Sequence, residues 1–196
     1  MFHVEPNTPS VVLAKTKDHL VTGESFEVHL DTVSHIAQTV PAPSQEKLAH
    51  YYASEKYISH GNQKRGWMDY LYAFVQRIML KQKERWLSKQ VTESKRYLDF
   101  GCGTGALVHH LNTKNWEAYG VEPSEKARNF SSATDCLYPS LRALPQKNFD
   151  VIALWHVLEH LPNPASSLKE LNTLLKQEAY LFLALPNFNS FDANYY

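Results

Sequence analysis

Three glycines at alternate positions, Gly101, Gly103 and Gly105, follow the apolar run Tyr97-Leu98-Asp99-Phe100 and precede a stretch with helical character. A strand ending there must turn sharply, and backbone without Cβ atoms lets a ligand approach where a side chain would collide. Cys102 sits inside this loop. The next apolar run, Glu117 to Val121, ends in Glu122 and Pro123. A carboxylate about twenty residues beyond the glycines is placed to accept hydrogen bonds from ribose hydroxyls. A glycine triplet alone is a weak signal. Set between strand and helix, with Glu122 at this distance, it is fairly specific for a ligand that carries a ribose.

Two ligand classes fit that pairing, because Gly101-x-Gly103-x-x-Ala106 also satisfies the dinucleotide fingerprint. Asp99, two residues before the first glycine, separates them. A dinucleotide turn has no use for a carboxylate there, whereas Asp99 can orient the loop or reach the ammonium of a methionine moiety, directly or through water. S-adenosylmethionine also has no pyrophosphate to place on a helix N-terminus. A third chemistry is written in His156-Val157-Leu158-Glu159-His160, which reads as the His-x-x-Glu-His pattern of zinc hydrolases. That geometry needs a long helix, and Pro162 and Pro164 follow almost at once. Glu159 and His160 therefore read as loop-packing residues and no metal ligand is expected. His156 stands as a candidate general base for an attacking hydroxyl. His109 and His110 read as surface residues.

The elements that must position these groups alternate. Apolar runs at 97–100, 117–121, 149–154 and 180–185 are separated by helical stretches at 106–112, 124–131 and 164–176, with Ser124 as an N-cap. Continuous apolar strands interleaved with helices predict an α/β fold: a Rossmann-like, mostly parallel sheet covered on both faces. Three segments follow. Residues 1–45 form a small β-rich extension, in which Phe26, Val28 and Leu30 alternate with polar residues. Residues 46–92 are helical, a candidate cofactor lid, with Trp67, Leu71, Phe74, Val75, Ile78 and Trp86 near helical spacing. Their tyrosines, among them Tyr51, Tyr52, Tyr57, Tyr70 and Tyr72, read as packing material. Residues 93–196 carry the ligand-binding domain.

Composition narrows the partners. Of 196 residues, 20 are Lys or Arg and 20 are Asp or Glu, so there is no basic excess and no nucleic-acid partner is expected. The local cluster Lys81, Lys83, Arg85, Lys89 and Lys95-Arg96 reads as a solvated helix face. No apolar run approaches the roughly 20 residues of a membrane span, so no membrane partner is expected. The start, Met1-Phe2-His3-Val4-Glu5-Pro6, has no secretory pattern. Two cysteines, Cys102 and Cys136, make no disulfide framework. A cytoplasmic location is expected. Oligomeric state is not legible.

Residues 97–188 resemble the class I S-adenosylmethionine-dependent methyltransferases, in particular the branch of ubiquinone-biosynthesis-like O-methyltransferases. Leu98-Asp99-Phe100-Gly101-Cys102-Gly103-Thr104-Gly105 is similar to that family's first motif, and Gly120-Val121-Glu122-Pro123-Ser124 to its second. Phe149-Asp150-Val151-Ile152 with Trp155-His156-Val157-Leu158-Glu159-His160-Leu161 resembles its fourth strand and following loop. Tyr51-Tyr52-x-Ser54-Glu55-x-Tyr57-Ile58-Ser59-His60 resembles an N-terminal segment of bacterial members.

The resemblance implies S-adenosylmethionine as cofactor and methyl transfer to a small-molecule acceptor. Its site residues would be Asp99, Gly101, Cys102, Gly103, Gly105, Glu122, Pro123, Trp155 and His156, with His156 the candidate catalytic group. It also marks departures. The acid that contacts adenine in many members has only Asp135 as a counterpart. Asp31 and Ser34 stand where related bacterial proteins carry a zinc-binding Cys-x-x-Cys. The chain reaches Tyr196 just after the fifth strand, so the sheet is expected to lack the hairpin that completes its edge and helps build the substrate pocket. An S-adenosylmethionine-binding or regulatory module without catalysis is the alternative; an NAD-binding protein and a zinc hydrolase rank lower.

Overall fold

The computed structural model describes residues 9–19, 22–42, 67–91, 93, 95–131 and 133–190. They fall into two compact units. The tyrosine-rich stretch 51–60 lies outside the described residues.

The first unit contains strands β1 (Ser10–Lys17), β2 (Ser25–Asp31) and β3 (Ala37–Val40) in one antiparallel sheet, with β2 in the middle. Phe26, Val28 and Leu30 lie on β2, as their alternation predicts, and are half-buried, while β1 is exposed along its whole length. Asp31 is buried, and its Oδ1 accepts the backbone N–H groups of Val33 and Ser34 at 2.7 and 2.9 Å. That carboxylate closes the turn between β2 and β3.

The second unit opens with α1 (Trp67–Gln90) and continues through β4 (Arg96–Phe100), α2 (Ala106–Asn112), β5 (Glu117–Val121) and α3 (Glu125–Asn129). It ends with β6 (Leu137–Tyr138), β7 (Phe149–Trp155), α4 (Pro164–Asn172) and β8 (Leu175–Ala184). The strands form one parallel sheet in the order β6-β5-β4-β7-β8. This is the α/β architecture that the strand–helix alternation predicts. Among the described residues no helix is long and apolar enough to cross a membrane.

Period-two geometry splits the core into two layers. Tyr97, Val151 and Ala153 point to the face covered by Leu87 of α1 and by Leu107, Val108 and Leu111 of α2. Leu98, Ile152 and Leu154 point to the opposite face, against Leu171 and Leu174. β4 and β7, at the centre, are therefore buried on both sides and read as unbroken apolar runs.

Three expectations need correction. The helix read over 164–176 stops at Asn172, and β8 begins at Leu175. Thr173 turns its own N–H and hydroxyl back onto the Glu170 carbonyl, and the Leu174 carbonyl is taken by the Phe149 N–H of β7. Leucine spacing alone could not show that capture.

On α1 the buried stripe is not the aromatic one. Tyr70 and Tyr72 are 74% and 67% exposed, and Leu71, Phe74, Val75, Ile78 and Trp86 are also exposed. Leu80 and Leu87 instead reach the core, and Lys83 shares their face. His110, expected at the surface, is partly buried with its Nε2 2.6 Å from Glu84 Oε2 of α1.

Candidate ligand site at the carboxyl edge of the sheet

The carboxyl ends of β4, β5 and β7 lie side by side, which is where ligands bind in open α/β sheets. After Phe100 the chain makes three left-handed steps, with φ of 79° at Gly101, 55° at Gly103 and 70° at Gly105. L-residues resist this conformation. The loop is drawn onto the neighbouring strand tip, because the N–H groups of Gly101 and Cys102 both donate to the Val121 carbonyl, at 2.7 and 3.1 Å.

The environments of these glycines differ. A Cβ on Gly101 would stand 2.4 Å from Val157, and one on Gly105 2.8 Å from Leu137. A Cβ on Gly103 would meet nothing within 4 Å. Gly103 is thus the point where bare backbone faces open space. Cys102 packs its sulfur over Gly120 of β5, and burial pushes its thiol pKa up, so it serves as filler and not as a nucleophile.

Glu122 closes the arrangement. Its Oε2 accepts the Gly103 N–H at 3.0 Å and its Oε1 accepts the Ser124 N–H at 2.9 Å. Each carboxylate oxygen keeps a second lone pair for an outside donor. The β5–α3 turn that carries Glu122 is pinned by Arg128, whose guanidinium donates to the carbonyls of Glu122 and, at 2.9 Å, Pro123. Ser124 caps α3 as predicted, accepting the Ala127 N–H at 3.3 Å. Pro123 is exposed.

Asp99 is buried on β4, in register with Gly120 of β5 and Ala153 of β7. Burial raises its pKa to about 7, against the opposing pull of the Lys83 ammonium and a hydrogen bond from the Tyr97 hydroxyl. That hydroxyl accepts the Trp155 Nε1–H at 3.1 Å. Indole, phenol and carboxylate form a chain across the two central strands. The Trp155 ring stacks on Trp86, with centroids 6.2 Å apart, and Lys83 Nζ lies 4.2 Å above its centroid.

His156 sits at the tip of β7 in a left-handed conformation, φ 58°, held by its N–H to the Ala184 carbonyl. Its side chain is 66% exposed, with Nδ1 3.6 Å from Glu159 Oε1. Leu158–His160 is a single 3-10 turn, so the paired histidines do not share the long helix that a zinc hydrolase uses. Among the described residues no group of three His, Cys, Asp or Glu is placed to hold a metal. Asp135 falls in the short turn Thr134–Cys136 ahead of β6, away from that strand's carboxyl end.

The fold thus gathers Asp99, the three glycines, Cys102, Glu122, Trp155 and His156 along one edge. Tyr97, Arg128 and Lys83 are the members that residue spacing did not single out. Lys83 was legible in part: it shares the inward i, i+4 stripe with Leu87, which contradicts its reading as one more solvated basic residue.

The family model described as a methyltransferase domain matches residues 70–195, more than half of the chain. The chain belongs to the methyltransferase domain family. Its methyltransferase domain is 29% identical over 107 residues to the ubiquinone biosynthesis O-methyltransferase of Yersinia enterocolitica, a match covering 49% of this chain and 44% of that protein. The protein of the same name in Paraburkholderia phymatum is 29% identical over 106 residues, covering 48% and 46%. The chain spans about half the length of the curated relatives it matches.

Among solved structures, the plantazolicin methyltransferase BpumL in complex with a pentazolic desmethylPZN analog and SAH superposes with a TM-score of 0.51 at 19% identity, over 61% of this chain and 50% of that one. The PH0226 protein of Pyrococcus horikoshii OT3 gives 0.50 at 21% identity, over 61% and 58%. At these identities the structural likeness speaks for the fold of the methyltransferase domain.

Proposed function

We propose that this chain binds S-adenosylmethionine across the tips of β4, β5 and β7 and serves methyl transfer to a small-molecule acceptor. The observation that carries this reading is the Gly103 N–H bond to Glu122, at 3.0 Å, which joins the glycine turn to the strand-tip acid on one edge of the sheet. The residues fit the donor: Glu122 has free lone pairs for ribose hydroxyls, and Gly103 leaves backbone space beside them. Asp99, near the carboxyl end of β4, offers an anion to the methionine ammonium. Trp155 walls the methyl end, and Gly101, Cys102 and Gly105 shape the turn without touching the chemistry.

When bound, S-adenosylmethionine supplies an electrophilic methyl group on a sulfonium. The chain's own part is mostly positional, since in-line displacement at a cation needs little acid–base help. His156, exposed at the rim, takes the proton of an acceptor hydroxyl. The relatives named as ubiquinone biosynthesis O-methyltransferases support a hydroxyl acceptor.

Calorimetry with S-adenosylhomocysteine tests the reading. We expect Glu122→Ala to weaken binding by about tenfold or more, as befits losing one or two hydrogen bonds to a charged acceptor; unchanged affinity would remove the ribose assignment. A thermal-shift comparison of S-adenosylhomocysteine, NAD and zinc separates the cofactor classes, and stabilisation by NAD or zinc alone would overturn it.

A second reading, a donor-binding module without catalysis, draws on β8. Among the described residues that strand is a sheet edge, with Tyr180 and Leu183 each 43% exposed, and an edge strand is a template for pairing with another chain. Donor binding with no methyl release to any acceptor in a hydroxyl-compound panel would favour it.

A further inference from the structure

Lys83 reaches inward from α1 and holds its ammonium 4.2 Å over the Trp155 ring. The place it fills is constructed by other elements. Trp155 comes from the tip of β7, and its ring is fixed by the Nε1–H bond to Tyr97 and by the Trp86 stack. Asp99 comes from β4 and is the carboxylate whose charge acts on Lys83. An aromatic face beside a buried anion, with the indole locked in orientation, is a seat for a cation. Burial pulls the Lys83 pKa down and the Asp99 charge opposes that pull without cancelling it, so the ammonium has given up water for a seat that only partly replaces it.

The ligand proposed above brings two cations to the same end of the site. Its ammonium belongs beside Asp99 and its sulfonium beside Trp155. Its product after methyl loss, S-adenosylhomocysteine, keeps the ammonium and loses the sulfonium charge. We infer that Lys83 competes with the sulfonium for the Trp155 face and so sets the preference between charged donor and neutral product. This rests on the proposed function. With Lys83 in place, the donor must displace or tolerate a like charge that the product does not meet. The same opposition fades as methyl transfer drains positive charge from sulfur, so Lys83 disfavours the bound donor more than the transition state.

The test compares both ligands by calorimetry on the full chain as wild type, Lys83→Met and Lys83→Arg. The ammonium and carboxylate are common to both ligands, so their contributions cancel in the ratio of dissociation constants, donor over product. In Lys83→Met that ratio should fall by about tenfold or more, the lower end being what two unit charges a few ångströms apart give under nearly full water screening. Lys83→Arg, which keeps the charge, should retain the wild-type ratio. An unchanged ratio in Lys83→Met overturns the inference. Equal weakening of both ligands also overturns it, because Lys83 would then grip the carboxylate they share. Should the methionine variant melt early, Lys83→Gln supplies the same comparison. Wild-type protein that binds neither ligand refutes the proposed function, a result distinguishable from the others.

Discussion

Replacing Asp99 by asparagine removes one buried charge while leaving an oxygen that still accepts from the Tyr97 hydroxyl. In the folded protein the Asp99 pKa stands at about 7, against 3.8 for the ordinary side chain. Below the ordinary value the carboxyl is protonated in both folded and unfolded chains, and stability carries no penalty. Between the two values the unfolded chain releases the proton that the folded chain retains, so stability falls as pH rises. Above about pH 7 the full penalty is present. About three powers of ten in proton affinity, at about 1.4 kcal/mol each, set an upper bound of about 4 kcal/mol.

Relaxation around the charge brings the expected difference to roughly 2–4 kcal/mol, or on the order of 5–15 °C in Tm for a chain of this size. The assay is thermal and urea unfolding of both proteins from pH 5 to pH 9. Asp99→Asn should gain on wild type from pH 5 to about pH 7, hold that gain above it, and melt higher at pH 8. Stability curves that stay parallel across that range would refute the account of Asp99 as a carboxylate strained by burial. The same variant should bind S-adenosylhomocysteine more weakly at pH 8, where the ammonium loses its counter-charge.

The glycines offer a contrast. Gly103→Ala should cost about 1–2 kcal/mol in urea unfolding for its left-handed backbone, and it should weaken S-adenosylhomocysteine more than that cost suggests, since its methyl projects into open space. Equal effects on folding and binding would remove Gly103 from the site. Gly120→Ala places a methyl 2.5 Å from the Cys102 sulfur and 2.6 Å from Leu137. Overpacking of that kind should lower stability by about 1–3 kcal/mol, and an unshifted midpoint would mean that Cys102 moves aside freely.

Much of the second unit was readable because its strands are buried on both faces. The ends of β5 at Glu117 and Val121 and of α2 at Ala106 and Asn112 fall where apolar runs and glycines place them. Ser124 caps its helix for the reason its side chain suggests. What failed depended on contacts between distant elements. The end of α4 is set by β7 capturing the Leu174 carbonyl, a contact over 25 residues that periodicity does not carry. On α1 the aromatic residues dominate any count of apolar spacing, yet the core takes Leu80 and Leu87. Tyr97 likewise looked like one more strand residue, and only the register of β4 against β7 shows that its hydroxyl links Trp155 to Asp99.

The bond from Gly103 to Glu122 makes one object of two features that the sequence lists apart. Whatever loosens the acid also unties the turn, and whatever bends the turn swings the acid. Damage to the two therefore overlaps: the double variant Glu122→Ala with Gly103→Ala should lose less affinity than the product of the single losses. If the proposed function holds, a domain wired this way takes sugar and amino acid together, and a ligand fragment offering only one of them leaves half the grip unused.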